Sequence, residues 1–422
     1  MRYLLLLILS AAVALGAHAA TPVSPSDRLA ASPDLALGSD GSLYLLWVDK
    51  GPRQAAAAAH GGMNHDAALD VLLARSDDGG KSFAAPVRVN ATAGSVWSFP
   101  SARPRLTVSA PGTVHVFYTI NAKSPANGKP VLAPMYSRST DRGATFSAGL
   151  ELVPIPDGDL SSFMHGGFAQ AETFGTVIAW EKSVAVVWID TRHMKSEADN
   201  GALFSALSTD DGASFAPART ISVGDVCPCC QVTAAVSGKS LLIGERLVQD
   251  GYRDSHVAIS TDGGQNFGPP LRLGSERWKI NGCPLKPTVL ATAGDTVYAA
   301  AFTGASTPAG IRWAVSGDGG RSFGRFEPLV PEAVVSDAPA LVATDSGVTA
   351  LWHGKAAAGQ ARAVYSRHSA DRGKTWSGVR SLSSAGVEAG YPSAVARQDG
   401  AIVAAWLEGD RVVTEVIGRG GQ

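Results

Sequence analysis

An eight-residue phrase recurs six times along the chain: SDDGGKSF from Ser76, STDRGATF from Ser139, STDDGASF from Ser208, STDGGQNF from Ser260, SGDGGRSF from Ser316 and SADRGKTW from Ser369. The starts lie 63, 69, 52, 56 and 53 residues apart, so the chain is an array of repeats. Each position has a physical task. Asp78, Asp141, Asp210, Asp262, Asp318 and Asp371 can accept hydrogen bonds from the amides of a tight turn. The glycines two places further on tolerate positive φ, and the closing Phe or Trp is a large apolar anchor.

The flanking segments repeat as well. Seven β-rich runs occur, GSLYLLWVD, GTVHVFYTI, KSVAVVWID, GKSLLIGER, GDTVYAAAF, SGVTALWHG and GAIVAAWLE, one more than the turns. A second strand leads into each turn, as in LDVLLARS, and a short proline-bounded strand such as APVRV follows it. A further run such as PALVATD opens the unit, which makes four strands per repeat with period-two alternation and no helical stretch. Four-stranded units that close on themselves are the blades of a β-propeller. The expectation is an all-β propeller of seven blades, with six as the alternative; an open β-solenoid would need a shorter fixed period. The last unit supplies three strands, and TPVSPSDRLA near the start can complete it and cover its edge.

The first 20 residues, MRYLLLLILSAAVALGAHAA, have an arginine, an apolar run and a small-residue end, the layout of a cleaved export signal. The run is short of the roughly 20 residues that a membrane anchor needs. Residues 21–422 then form one propeller domain, periplasmic or extracellular, with no membrane span after cleavage. With 36 Lys+Arg against 37 Asp+Glu, bulk charge offers nothing to nucleic acid or an anionic membrane, so an anionic ligand must meet a local cluster of cations.

The six turns resemble the Asp boxes, or BNR repeats, of the sialidase superfamily, and the resemblance covers essentially the whole mature chain. It implies the propeller architecture more than an activity, because Asp boxes also occur in propellers that are not sialidases. Sialidases are six-bladed and use an arginine triad for the substrate carboxylate, a tyrosine nucleophile helped by a glutamate, and an aspartate acid/base. Carried over residue by residue, the resemblance implies Tyr391 in GYPSAVARQDG as nucleophile and Asp66 in MNHDAALDVLLARS as acid/base. It implies Arg246, with Arg253 as a second candidate, and Arg362 as carboxylate clamps. Two positions depart from the family. Ala31 in ASPDLAL stands where the first arginine belongs, and Gln231 in CCQVTAAV stands where the helper glutamate belongs. Glutamine cannot act as a base, and Glu245 replaces it only if its strand points inward. On the other reading Tyr391 is a packing residue, as Phe99 is in SFPSA, and Asp66 is a solvated loop residue.

Four cysteines occur, Cys227, Cys229 and Cys230 in DVCPCCQ and Cys283 in NGCPLKP. In an exported chain an even count favours two disulfides, with at least one joining neighbouring blades. DVCPCC, YRD and WKINGCP also resemble a subgroup of exported sialidase-like propellers. The sharper alternative is a soft-metal site, copper as Cu(I), to which His60, Met63 and His65 in HGGMNHD add imidazole and thioether donors. No Walker loop, dinucleotide fingerprint or Ser-His-Asp elbow is present. Two functions stand side by side: a sialidase-like propeller that binds or hydrolyses a terminal acidic sugar in its central funnel without a required cofactor, and a non-catalytic propeller that binds a protein partner or handles copper.

Overall fold

Every one of the seven apolar runs is the second strand of an antiparallel unit: Leu43–Pro52, Val114–Lys123, Ser183–Asp190, Ser240–Gln249, Thr296–Thr303, Gly347–Lys355 and Ala401–Glu408. The structure is a computed structural model that describes residues 20–53, 68–100, 102–155, 172–194, 199–306, 308–330 and 335–419. Both faces of a second strand are buried, which is why these runs are predominantly apolar. In the first unit Leu43, Leu45 and Trp47 pack on Val403, Ala405 and Val412 of the last unit. Their alternates Tyr44, Leu46 and Val48 face Val114, Val116 and Tyr118 of the second, as the period of two requires. Trp47, Trp188, Trp352 and Trp406 hold matching places in four units and are among the most deeply buried side chains.

The units span 28–88, 105–151, 172–226, 233–272, 288–328, 335–381 and 389–419, and within each the strands are hydrogen-bonded in sequence order. The third and fourth share one sheet through the single pair Val226 and Leu247, and the second gains the short strand Val96–Trp97. The last unit has three strands of its own, and Thr21–Pro22 pairs with its outer strand, Thr21 opposite Thr414 and Pro22 opposite Val413. Val23 N–H adds a bond to the Val412 carbonyl at 2.8 Å. The first strand of each unit packs on the first strand of the next, and Ala389–Ala396 of the last unit touches Arg28–Leu37 of the first. Apolar clusters fill the space between neighbouring units, the last and the first included.

All six turns have the same wiring. In the second, Ser139 Oγ donates to Asp141 Oδ1 at 2.7 Å and accepts from Gly143 N–H at 2.8 Å, while Thr145 Oγ1 donates to Asp141 Oδ2 at 2.5 Å. These donors, Thr145 foremost, hold the Asp141 carboxyl down at about 2. The glycine has a second task. Gly373 has φ 86° and lies so close to the preceding unit that a Cβ there would sit 1.8 Å from the Trp313 ring. Gly212 meets Tyr136 of its preceding unit in the same way, at 1.9 Å. The turn therefore docks one unit on its neighbour as well as closing a hairpin.

Candidate functional site

Four of the seven first strands share an irregularity at their entrance. The pairing of first with second strand slips between Ala31 and Asp34, Thr173 and Thr176, Asp337 and Ala340, and Gly390 and Ser393. Inside each slip sits a non-glycine residue with positive φ: Ser32 at 53°, Phe174 at 53°, Ala338 at 46° and Tyr391 at 56°. Leu285, just ahead of the fifth first strand, has φ 56°. A left-handed non-glycine residue costs of order 1–3 kcal/mol, and a bulge re-aims the side chains around it. Two of these bulge residues, Ala338 and Tyr391, line a common cavity.

The segments that lead into the second, fourth and fifth units and the first strands of the sixth and seventh meet around a cavity of about 170 Å³ whose wall includes Phe99, Arg103, Gln231, Lys286, Asp337 and Tyr391. Polar contacts join the walls. Buried Gln231 donates both amide hydrogens, to the Arg103 carbonyl at 2.7 Å and the Gly175 carbonyl at 2.9 Å. Lys286 forms an ion pair with Asp337 across two units. Tyr391 N–H donates to His353 Nδ1 at 3.0 Å, so His353 carries its proton on Nε2, which faces Asp337 at 3.8 Å. Burial pushes the His353 imidazole below its ordinary value and keeps it neutral, although Asp337 opposes the shift. Burial would raise Asp337, but His353 and Lys286 outweigh it and hold the carboxyl at about 2. Burial pulls half-buried Arg103 down to about 10, with Arg105 adding to the effect, so it is still a cation at neutral pH.

Of the residues singled out in the sequence, Tyr391 lines the cavity, and the Arg362 guanidinium lies 5.5 Å from the centre of its ring. Arg246 is held by the carbonyls of Lys286, Arg253 and Phe302 at 3.2, 2.6 and 2.8 Å and stacks on Trp278. Arg253 donates to Cys227 Sγ at 3.2 Å. Glu245 lies on a second strand, on the same face as Leu241, Ile243 and Leu247, which belong to the apolar cluster between the third and fourth units. Asp66, His60, Met63 and His65 lie outside the described residues. Sequence reasoning missed Arg103, Lys286, Asp337 and His353; the only local hint was the X-Pro step that follows several bulges, as in Ser32-Pro33, Ala338-Pro339 and Tyr391-Pro392.

The two expected disulfides are not formed: none of the four cysteines is bridged. Cys227 Sγ is 3.8 Å from Cys229 Sγ and 3.5 Å from Cys230 Sγ, against about 2.05 Å for a bond. The DVCPCC loop folds its three buried thiols onto one another without bringing any pair to bonding distance, and Cys283, just ahead of the next unit, reaches Cys229 as a hydrogen-bonding neighbour.

No family model matches the chain, and no curated protein does. Solved structures do. An ulvan lyase of polysaccharide lyase family PL25, solved with -[GlcA(1-4)Rha3S]-, aligns at 13% identity over 96% of this chain and 96% of its own, with a TM-score of 0.57. A protein of unknown function from Dyadobacter fermentans DSM 18053 aligns at 14% identity over 94% of this chain and 97% of its own, TM-score 0.53. The Hadza microbial sialidase Hz136 aligns at 12% identity over 92% of this chain, TM-score 0.50, and the match spans 66% of that sialidase. At such identities the likeness is one of fold, and the fold is sialidase-like and all-β.

Proposed function

We propose that the chain is an exported, closed seven-bladed propeller that binds an acidic saccharide in the cavity where its first strands converge. The observation that carries this reading is the meeting of Arg103, Lys286 and Tyr391 on one wall-to-wall cavity of about 170 Å³. Counting Asp337 against the two cations leaves one net positive charge, suited to a single carboxylate or sulfate. Guanidinium offers a planar fork to such a group, and the Tyr391 ring offers an apolar face to a sugar. The succession of first-strand contacts back to the first unit supports closure, and the first 20 residues support export. The solved neighbours include a sialidase and a polysaccharide lyase solved with an acidic saccharide.

Hydrolysis of the sialidase type is less well supported than recognition. A tyrosine nucleophile needs an adjacent base. Gln231 is an amide with both hydrogens engaged, Asp337 is paired to Lys286, and His353 Nδ1 accepts from the Tyr391 main chain. The test is calorimetric titration with sialyl-oligosaccharides, oligouronates and neutral oligosaccharides, alongside turnover assays on a sialoside panel with wild type and Tyr391→Phe. Binding of the acidic sugars only, weakened at least tenfold in Lys286→Ala and Arg103→Ala, supports the reading. Equal affinity for neutral sugars, or indifference to both substitutions, overturns it.

A further inference from the structure

We propose that Cys227, Cys229 and Cys230 form a binding site for a soft monovalent cation, Cu(I), with Cys283 as the accessible thiol through which the ion is exchanged. The site is separate from the acidic-saccharide cavity and does not rest on it. Three thiols from one four-residue loop are buried at 0%, 7% and 1% exposure, with all their sulfur atoms within 4.8 Å of one another. A trigonal thiolate site with metal–sulfur bonds of about 2.3 Å needs sulfurs about 4.0 Å apart. Cys227 Sγ stands 3.8 and 3.5 Å from the other two sulfurs, and the third separation is at most 4.8 Å, so all three bracket the trigonal spacing.

The surroundings favour a monovalent ion. Three thiolates around Cu(I) carry two net negative charges, and two guanidinium groups stand by to balance them. Arg253 Nη1 donates to Cys227 Sγ at 3.2 Å, and the Arg246 charge acts on Cys230. Apolar side chains, Val226, Val232 and Leu247 among them, belong to the same core cluster as the three cysteines. Soft thiolates suit Cu(I) as well as zinc, imidazole or carboxylate ligands are not needed, and the charge balance favours the monovalent ion. A closed tetrahedral zinc site needs a fourth protein ligand, thiolate or imidazole, beside these three. The fourth cysteine, Cys283, is exposed and lies just ahead of the following unit, within hydrogen-bonding reach of Cys229. A buried trio with one exposed neighbour is an arrangement for loading and release. Loading transfers Cu(I) from a carrier ligand to the sulfurs, and the displaced thiol protons pass to solvent; no electron moves.

The experiment is anaerobic titration of the full-length purified protein with Cu(I) supplied as its bicinchoninate complex, followed by sulfur-coordination analysis by copper X-ray absorption. One Cu(I) per chain with three sulfur neighbours is expected. Cys227→Ser and Cys230→Ser should each weaken binding by about a hundredfold or more, beyond the range usual for outer-shell changes. Cys283→Ser, an exposed position that leaves the buried loop intact, should keep the stoichiometry and slow transfer to a competing chelator. Failure of the wild type to take Cu(I) from bicinchoninate overturns the proposal. So does a zinc ion that Cu(I) does not displace, or alkylation mass spectrometry that finds a disulfide among Cys227, Cys229 and Cys230 in anaerobically purified protein denatured with a copper chelator.

Discussion

Replacing Glu245 by glutamine should remove a pH dependence that one buried carboxyl imposes on the whole fold. Glu245 is 1% exposed, and neither carboxylate oxygen has a hydrogen-bond partner. Burial, with the Asp225 charge adding to it, pushes the group from its ordinary 4.5 up to about 8. Between those values the folded chain keeps a proton that the unfolded chain has released, so stability falls as pH rises through this window. At 1.36 kcal/mol per pK unit, the loss is about 3 kcal/mol at pH 7 and about 4 kcal/mol at pH 8. Glutamine has nearly the same shape and cannot ionise. Wild type and Glu245→Gln should therefore unfold at similar denaturant concentrations at pH 4.5, and the variant should be more stable by roughly these amounts at pH 7 and 8. Guanidinium unfolding at the three pH values, followed by tryptophan fluorescence, reads the difference. A gap that stays constant with pH, or a wild type that gains on the variant at pH 8, would refute the reasoning.

Gly373→Ala should cost about 3 kcal/mol, part from a left-handed alanine and part from the Trp313 ring it would strike, and thermal unfolding measures it. Asp337→Asn should cost about 2 kcal/mol at pH 6, because a carboxyl held at about 2 stabilises the fold above its ordinary 3.8 and loses that contribution as pH falls through 2. The same substitution should leave stability unchanged near pH 1.5, which denaturant titration at both pH values checks.

The turns were legible because each of their hydrogen bonds joins residues at most four apart: Ser139, Asp141, Gly143 and Thr145 carry their whole geometry in one phrase. The second strands were legible for a related reason, since burial on both faces writes a predominantly apolar run. The outer strand at the chain start could be anticipated from the missing fourth strand of the last unit. The cavity could not. Arg103, Lys286, Asp337 and Tyr391 are separated by up to 288 residues, as the contact of Arg103 with the Tyr391 carbonyl illustrates, and they converge only through the packing of first strands. The left-handed bulges at Ala338 and Tyr391, which place Asp337 and Tyr391, come with a slip in strand pairing that an X-Pro step alone does not reveal. Arg246 was misleading in a different way, because an arginine on an inner strand can spend its donors on main-chain carbonyls as readily as on a ligand. Counting cysteines suggested bridges, yet three thiols crowded into one short loop have a geometry that parity does not capture.

The most direct measurement is a crystal structure of the protein soaked with an oligosaccharide that carries one terminal acidic sugar. The account predicts density at the strand entrances, with the acidic group within about 3 Å of Arg103 and Lys286 and the sugar ring against Tyr391. A ligand bound elsewhere on the molecule, or an empty cavity in crystals whose protein binds the sugar in solution, would contradict it.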